Sequence, residues 1–123
     1  MFNGCGNLET LILPFNVTRI GEASVSSCLN LKEIDIPDGV VSFGMAAFNS
    51  CKSLIAVQLP SALVSMGSDV FHSCSSLQRI VIPVGVTEIL ANSFGHCTSL
   101  SEIVLPEGLI SIGNATFLQY VKS

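Results

Sequence analysis

The amino-acid sequence predicts an α/β-type solenoid, mainly β, in which five units of 23 residues stack with parallel strands and short helical or 3₁₀ turns. Three observations predict it. Cysteine stands at 5, 28, 51, 74 and 97, and proline at 14, 37, 60, 83 and 106, so both columns advance by 23. These two columns hold every Cys and every Pro of the 123-residue chain. Within each unit the apolar spacing also changes from three to two, the mark of a tight turn followed by a strand. A fixed period in the range of about 20 to 50 residues signals stacked units, because one unit alone cannot bury its apolar columns.

Read from Phe2, the units are 2–24, 25–47, 48–70, 71–93 and 94–116, with a remnant 117–123, and residues 1–123 form a single domain. Each unit opens on Phe2, Val25, Phe48, Phe71 or Phe94, and Phe117 opens the remnant. Cysteine follows three residues later, and then Leu8, Leu31, Leu54, Leu77 or Leu100 after three more. Apolar residues at i, i+3 and i+6 share one side of a tight helical or 3₁₀ turn. The preceding Ala23, Ala46 and Ala115 suit such a turn better than a long helix.

A strand comes next. Leu11/Leu13, Ile34/Ile36, Val57/Leu59, Ile80/Ile82 and Ile103/Leu105 alternate with Ile12, Asp35, Gln58, Val81 and Val104. Period-two alternation places the first set inward and the second outward. Proline then ends each strand, since it has no N–H to give a ladder. After a turn through Asn16, Gly39, Ala62, Gly85 or Gly108, a second extended stretch points Val17, Val40, Leu63, Val86 and Leu109 inward. Ile20, Phe43, Met66, Ile89 and Ile112 point the same way. Gly21, Gly44, Gly67 and Gly113 close that stretch, and Leu90 is the exception.

Composition narrows the function classes. The chain is 49% apolar and 11% charged, with a mean hydropathy of +0.65. Its uninterrupted apolar runs are nevertheless only a few residues, against the roughly 20 needed to cross a bilayer, so no membrane insertion is expected. Formal charge is −4, from 5 basic and 9 acidic residues, and no basic patch is present to neutralise phosphates. Nucleic acid is therefore not an expected partner. The first five residues enter the repeat directly, with no basic and apolar leader, so no signal peptide is expected within the chain. Asn16 with Thr18, and Asn114 with Thr116, form glycosylation sequons that matter only in a eukaryotic secretory pathway.

Candidate chemistry is sparse. One cysteine per unit gives no CxxC pair, and a row of thiols does not converge on a zinc ion. Stacked parallel side chains also hold their Cβ atoms too far apart for a relaxed disulfide, so buried free thiols are expected. His72 and His96 fall in different columns and share no motif with a nucleophile or acid, so no catalytic triad is supported and the two read as exposed turn histidines. Glu33, Asp35 and Asp38 form an acidic cluster within one unit, and the neighbouring Ala56, Gln58 and Ser61 add no ligand for a hard cation. The glycines keep the 23-residue period and build no phosphate loop. No catalytic residue, cofactor or metal site is expected, and the chain reads as a non-enzyme.

The pattern Phe-x-x-Cys-x-x-Leu-x-x-Ile-x-Ile-Pro-x-x-Val-x-x-Ile-Gly, plainest from Phe48 to Gly67 and from Phe71 to Ile89, resembles the BspA-like, or Treponema-type, class of leucine-rich repeat. The resemblance spans essentially the whole chain. Val25 replaces the Phe, Leu90 the Gly, and Tyr120 stands where a sixth Cys would fall. The resemblance implies surface proteins of bacteria and parasitic protists, adhesion and protein binding, and hence a cell-surface or secreted location.

The outward strand face is the candidate site. Its columns read Thr10, Glu33, Ala56, Arg79, Glu102 and Ile12, Asp35, Gln58, Val81, Val104. Inward columns keep one residue type, whereas these vary, and Ile12, Val81 and Val104 set apolar groups on a wet face. The expected function is a protein-binding repeat module, with a rigid spacer and a carbohydrate- or cation-binding module as rivals. A sugar site usually wants aromatic platforms, and the chain has no Trp and a single Tyr. The first unit keeps Leu8, Leu11 and Leu13 without polar substitutes, so self-association through that uncapped end is also expected.

Overall fold

The computed structural model describes residues 4–114 and 116. They wind as a solenoid whose coils each contribute to three hydrogen-bonded sides. The first side is a front sheet built from β1 (Thr10–Ile12), β3 (Glu33–Asp35), β6 (Arg79–Val81) and β8 (Glu102–Val104). The second carries β2 (Arg19–Ile20), β4 (Ser42–Phe43), β5 (Ser65–Met66), β7 (Glu88–Ile89) and β9 (Ser111–Ile112). Every pairing is parallel and advances by one period: Leu11 opposes Ile34, Ser42 opposes Ser65, and Ile80 opposes Ile103. Between the two strands of a coil, the proline carbonyl accepts the N–H three residues on, as in Val40 to Pro37 at 3.2 Å and Val86 to Pro83 at 3.2 Å.

The third side departs from expectation. No helix occurs among the described residues, and the Phe-x-x-Cys-x-x-Leu segment is a series of turns. Alternate N–H groups close turns within the coil, as in Asn49 to Ala46 and Cys51 to Phe48. The N–H groups between them reach the next coil, as in Ala46 to Ser68 at 2.9 Å, Phe48 to Val70 at 2.9 Å and Ser50 to His72 at 2.8 Å. A helix satisfies its N–H groups internally and could not supply this ladder. Left-handed residues recur every four positions to re-aim the chain: Ala23 and Ser27, Ala46 and Ser50, Asp69 and Ser73, Asn92 and His96, with φ between 53° and 62°. Each costs on the order of 1 kcal/mol for a residue bearing a Cβ, which the hydrogen bonds between coils offset.

The inward columns meet as one core from Leu11 to Leu100, with Phe48, Phe71, Leu54, Leu77 and Ile80 fully enclosed. Phe48, Phe71 and Phe94 stack nearly parallel, with ring centroids 5.4 and 5.7 Å apart. In the fifth unit the columns lose cover, and Leu105 and Ile112 are exposed although their columns face inward. Phe117, Leu118 and Tyr120 of the remnant lie outside the described residues. Truncating Leu54 or Ile80 to alanine should destabilise by about 2–5 kcal/mol. Gln58→Ala, on the exposed face, should stay within about 0.5 kcal/mol. Equal midpoint shifts in urea would contradict the assignment of the two strand faces.

The five cysteines are free; four are buried and Cys5 is only half-buried, a correction to the expectation of five enclosed thiols. Three of the buried thiols donate to a carbonyl of the preceding coil. Cys51 Sγ donates to Val25 O at 3.0 Å, Cys74 to Phe48 O at 3.1 Å and Cys97 to Phe71 O at 3.0 Å. Phe48 O and Phe71 O also take the turn N–H of Cys51 and Cys74, so N–H and thiol fill both lone pairs of one carbonyl. Burial pushes Cys51 up to about 12 and Cys97 to about 11 from an ordinary 9.0, and raises Cys28 and Cys74 as well. Thiols raised in the folded state contribute stability that is complete below about pH 9 and lost as pH climbs toward 11 to 12. The loss should approach about 1.4 kcal/mol per pH unit for each such thiol. Urea melts from pH 8 to 10.5 test this against a Cys51→Ala, Cys74→Ala variant, which should show a shallower decline; parallel declines would rule the ladder out as the cause.

Candidate binding face

All ten residues of the two outward columns are exposed, and β1, β3, β6 and β8 set eight of them in rows, while Ala56 and Gln58 lie in no strand. Thr10 stands beside Glu33, and Ile12 beside Asp35. Ala56 stands beside Arg79 through an isolated bridge, Arg79 beside Glu102, and Val81 beside Val104. Ile12, Val81 and Val104 are 71%, 42% and 40% exposed. Arg79 Nε donates to Glu102 Oε1 at 2.7 Å, and Lys32 Nζ lies 3.6 Å from Glu9 Oε1. Both pairs are well solvated and each contributes a few tenths of a kcal/mol, roughly. They organise charge more than they hold the fold.

The acidic cluster separates into two roles. Glu33 and Asp35 stand outward on β3, while Asp38 Oδ1 accepts the Ser61 N–H at 3.0 Å and so caps the turn of the next coil. No group of three His, Cys, Asp or Glu among the described residues is arranged to hold a metal ion, and no helix among them is long and apolar enough to cross a membrane.

The front sheet is not continuous. β3 pairs with β1 alone, and β6 with β8. The third unit contributes only the Ala56 bridge and the Gln78 N–H to Ile55 O bond. An open groove of about 770 Å³ lies there, walled by Glu33 and Arg79 and floored by Ala56, Val57 and Ile80. A second of about 520 Å³ continues past Asp35 and Asp38. The repeating columns mark the residues of this face but carry no sign of the break. On the turn side they also give no sign that His72 and His96, one period plus one residue apart, meet edge to face with centroids at 5.2 Å. Both rings are half-buried, and Ser73 Oγ lies 3.0 Å from His72 Nδ1. A +1 offset is invisible to a search for exact repeats.

Known proteins resemble the chain chiefly in fold. It is similar to the solved leucine-rich repeat protein of T. pallidum, with 27% identity and a TM-score of 0.88 over 97% of this chain and 66% of that one. A leucine-rich repeat protein from Bacteroides ovatus shares 23% identity at a TM-score of 0.67, over 97% of this chain and 36% of that one. A leucine-rich cell surface protein from Faecalibacterium prausnitzii shares 22% at 0.55, over 93% and 46%. The chain thus spans between about a third and two thirds of these solved relatives. No curated protein matches it. The model of the BspA type leucine-rich repeat region, described with six copies, matches residues 1–122. With its period, its parallel coils and that match, the chain belongs to the BspA-type leucine-rich repeat family.

Proposed function

We propose that the chain is a protein-binding module of a cell-surface protein and takes its partner on the outward face of the front sheet. The observation that carries this reading is the pairing of Val81 with Val104, exposed apolar residues beside the Arg79–Glu102 ion pair on a rigid parallel ladder. Apolar anchors beside fixed charges are what a protein interface needs, because burial supplies affinity and charge supplies register. The surface location is supported by the description of the Faecalibacterium prausnitzii protein, and the role asks for no catalytic group or cofactor. Affinity capture with wild-type protein and an Arg79→Glu, Val81→Asp variant tests it. A partner held by the first and lost by the second is expected, with unchanged thermal unfolding. Partners identical for both reject this face as the site, and none for either favours the rigid spacer.

Self-association is a second proposal, supported by a small apolar hollow of about 220 Å³ at the first coil, lined by Leu13, Val17 and Ile20 among others. Sedimentation velocity should show concentration-dependent dimers, weakened by Ile12→Lys with Leu13→Lys. A monomer at every concentration would reject it.

A further inference from the structure

We propose that the outer face of the second sheet is the contact through which two copies of the chain pair as a two-fold dimer. Two columns build this face. Thr18, Val41, Val64 and Thr87 form one, and Arg19, Ser42, Ser65 and Glu88 the next. The first column reads the same from either end, and the second carries opposite charges at its two ends. Parallel pairing sets Arg19 beside Ser42 and Ser42 beside Ser65, and β7, with Glu88, follows beside β5.

A symmetric dimer needs a patch that complements itself. The axis that achieves this lies in the interface, along the strands, level with the gap between the second and third coils. It brings the first coil of one copy against the fourth coil of the other. Arg19 of each copy then faces Glu88 of the other, so the ion pair forms twice. Val41 faces Val64 in the uncharged centre between the two pairs. Neither Arg19 nor Glu88 has an ion-pair partner within the chain among the described residues. An axis along the stack would instead set Arg19 against Arg19 and Glu88 against Glu88, and like charges disfavour it.

The turns that lead into these strands fit the same operation. Phe15 and Val84 are 90% and 84% exposed, the most exposed large apolar side chains among the described residues. They share a column in the first and fourth units, so Phe15 of one copy comes against Val84 of the other. Covering them removes apolar surface that the chain itself leaves in water. Glu22 and Asp38, the remaining charges along these coils, come opposite Ala91 and Ser61, so no like charges meet. The fifth coil, with Ile110, lies beyond the paired region. The patch is only a few residues wide, so the dimer is a weak one, and the front sheet stays uncovered.

Sedimentation velocity of the full chain should show a dimer whose share grows with concentration. Arg19→Glu and Glu88→Arg should each weaken it about tenfold or more. Both residues are exposed, so the thermal midpoints should stay where they are. Mixing the two variants should restore the dimer, because every charged contact across the mixed pair again joins opposite signs. An association at the first coil predicts no such rescue. Dimers indifferent to both reversals overturn this face, and their loss with Ile12→Lys, Leu13→Lys would then assign the contact to the first coil. Single variants that weaken the dimer but do not rescue each other, or a monomer at every concentration, overturn it as well.

Discussion

Replacing Phe71 by alanine should cost the fold about 3–5 kcal/mol, the range for truncating a buried aromatic ring. Three contacts converge on this ring. It lies parallel to Phe48 at 5.4 Å and to Phe94 at 5.7 Å, and it meets Phe43 edge-on at 6.4 Å. It is fully enclosed and stands in the middle of the stack, so a cavity there uncouples the coils on both sides. Its backbone carbonyl also accepts the Cys97 thiol and its N–H donates to Ser93 O at 2.9 Å, so a shifted backbone loses bonds to the next coil as well. Phe71→Leu, which refills most of the volume, should recover more than half of the loss. Urea unfolding of the three proteins measures both. If alanine costs less than about 1 kcal/mol, the stack does not couple the coils.

What was legible in the sequence is what repeats. The inward columns were assigned because burial imposes the same chemistry in every coil, and Leu54, Leu77 and Ile80 are enclosed as their columns require. The ten outward residues were assigned by the same alternation, and all are exposed. The turn side differs from the expected helical or 3₁₀ turn because apolar spacing of three is shared by such a turn and by serial turns with left-handed residues between them. The discriminating residues were present. Asp69 and Asn92 share a column with Ala23 and Ala46, and Asp and Asn are the non-glycine residues that most readily adopt positive φ. The break in the front sheet left no such trace, and nothing in residues 55–59 explains it.

The break in the second sheet did leave one, and it yields the second large effect. Gly67→Ala should destabilise by about 2–4 kcal/mol, combining overpacking of about 1–3 kcal/mol with roughly 1 kcal/mol for a lost ladder bond. A Cβ on Gly67 would stand 2.5 Å from Met45 N and 2.8 Å from Gly44 C. Both are backbone atoms of the preceding coil and cannot swing aside as the end of a side chain can. Gly44 and Gly113 are confined in the same way, by Glu22 N and Ala91 N at 2.5 Å each. None of the three has positive φ, so the requirement is close approach between coils, not backbone freedom. The chain itself shows what happens when the rule is broken. Leu90 occupies this column in the fourth unit, and there the second sheet divides into β2–β4–β5 and β7–β9. Val41 bonds to Thr18 O, Val64 to Val41 O and Ile110 to Thr87 O, yet no such bond links Thr87 to Val64 among the described residues. Alanine at 67 should open the same kind of gap between the second and third coils, seen as faster amide exchange at Val64 and residue 67. Leu90→Gly should do the reverse and slow exchange at Thr87, with a small change in overall stability because a half-exposed leucine is given up. Unchanged exchange at Val64 in the alanine variant, with stability within about 0.5 kcal/mol of wild type, would show that the coils yield to a Cβ without parting.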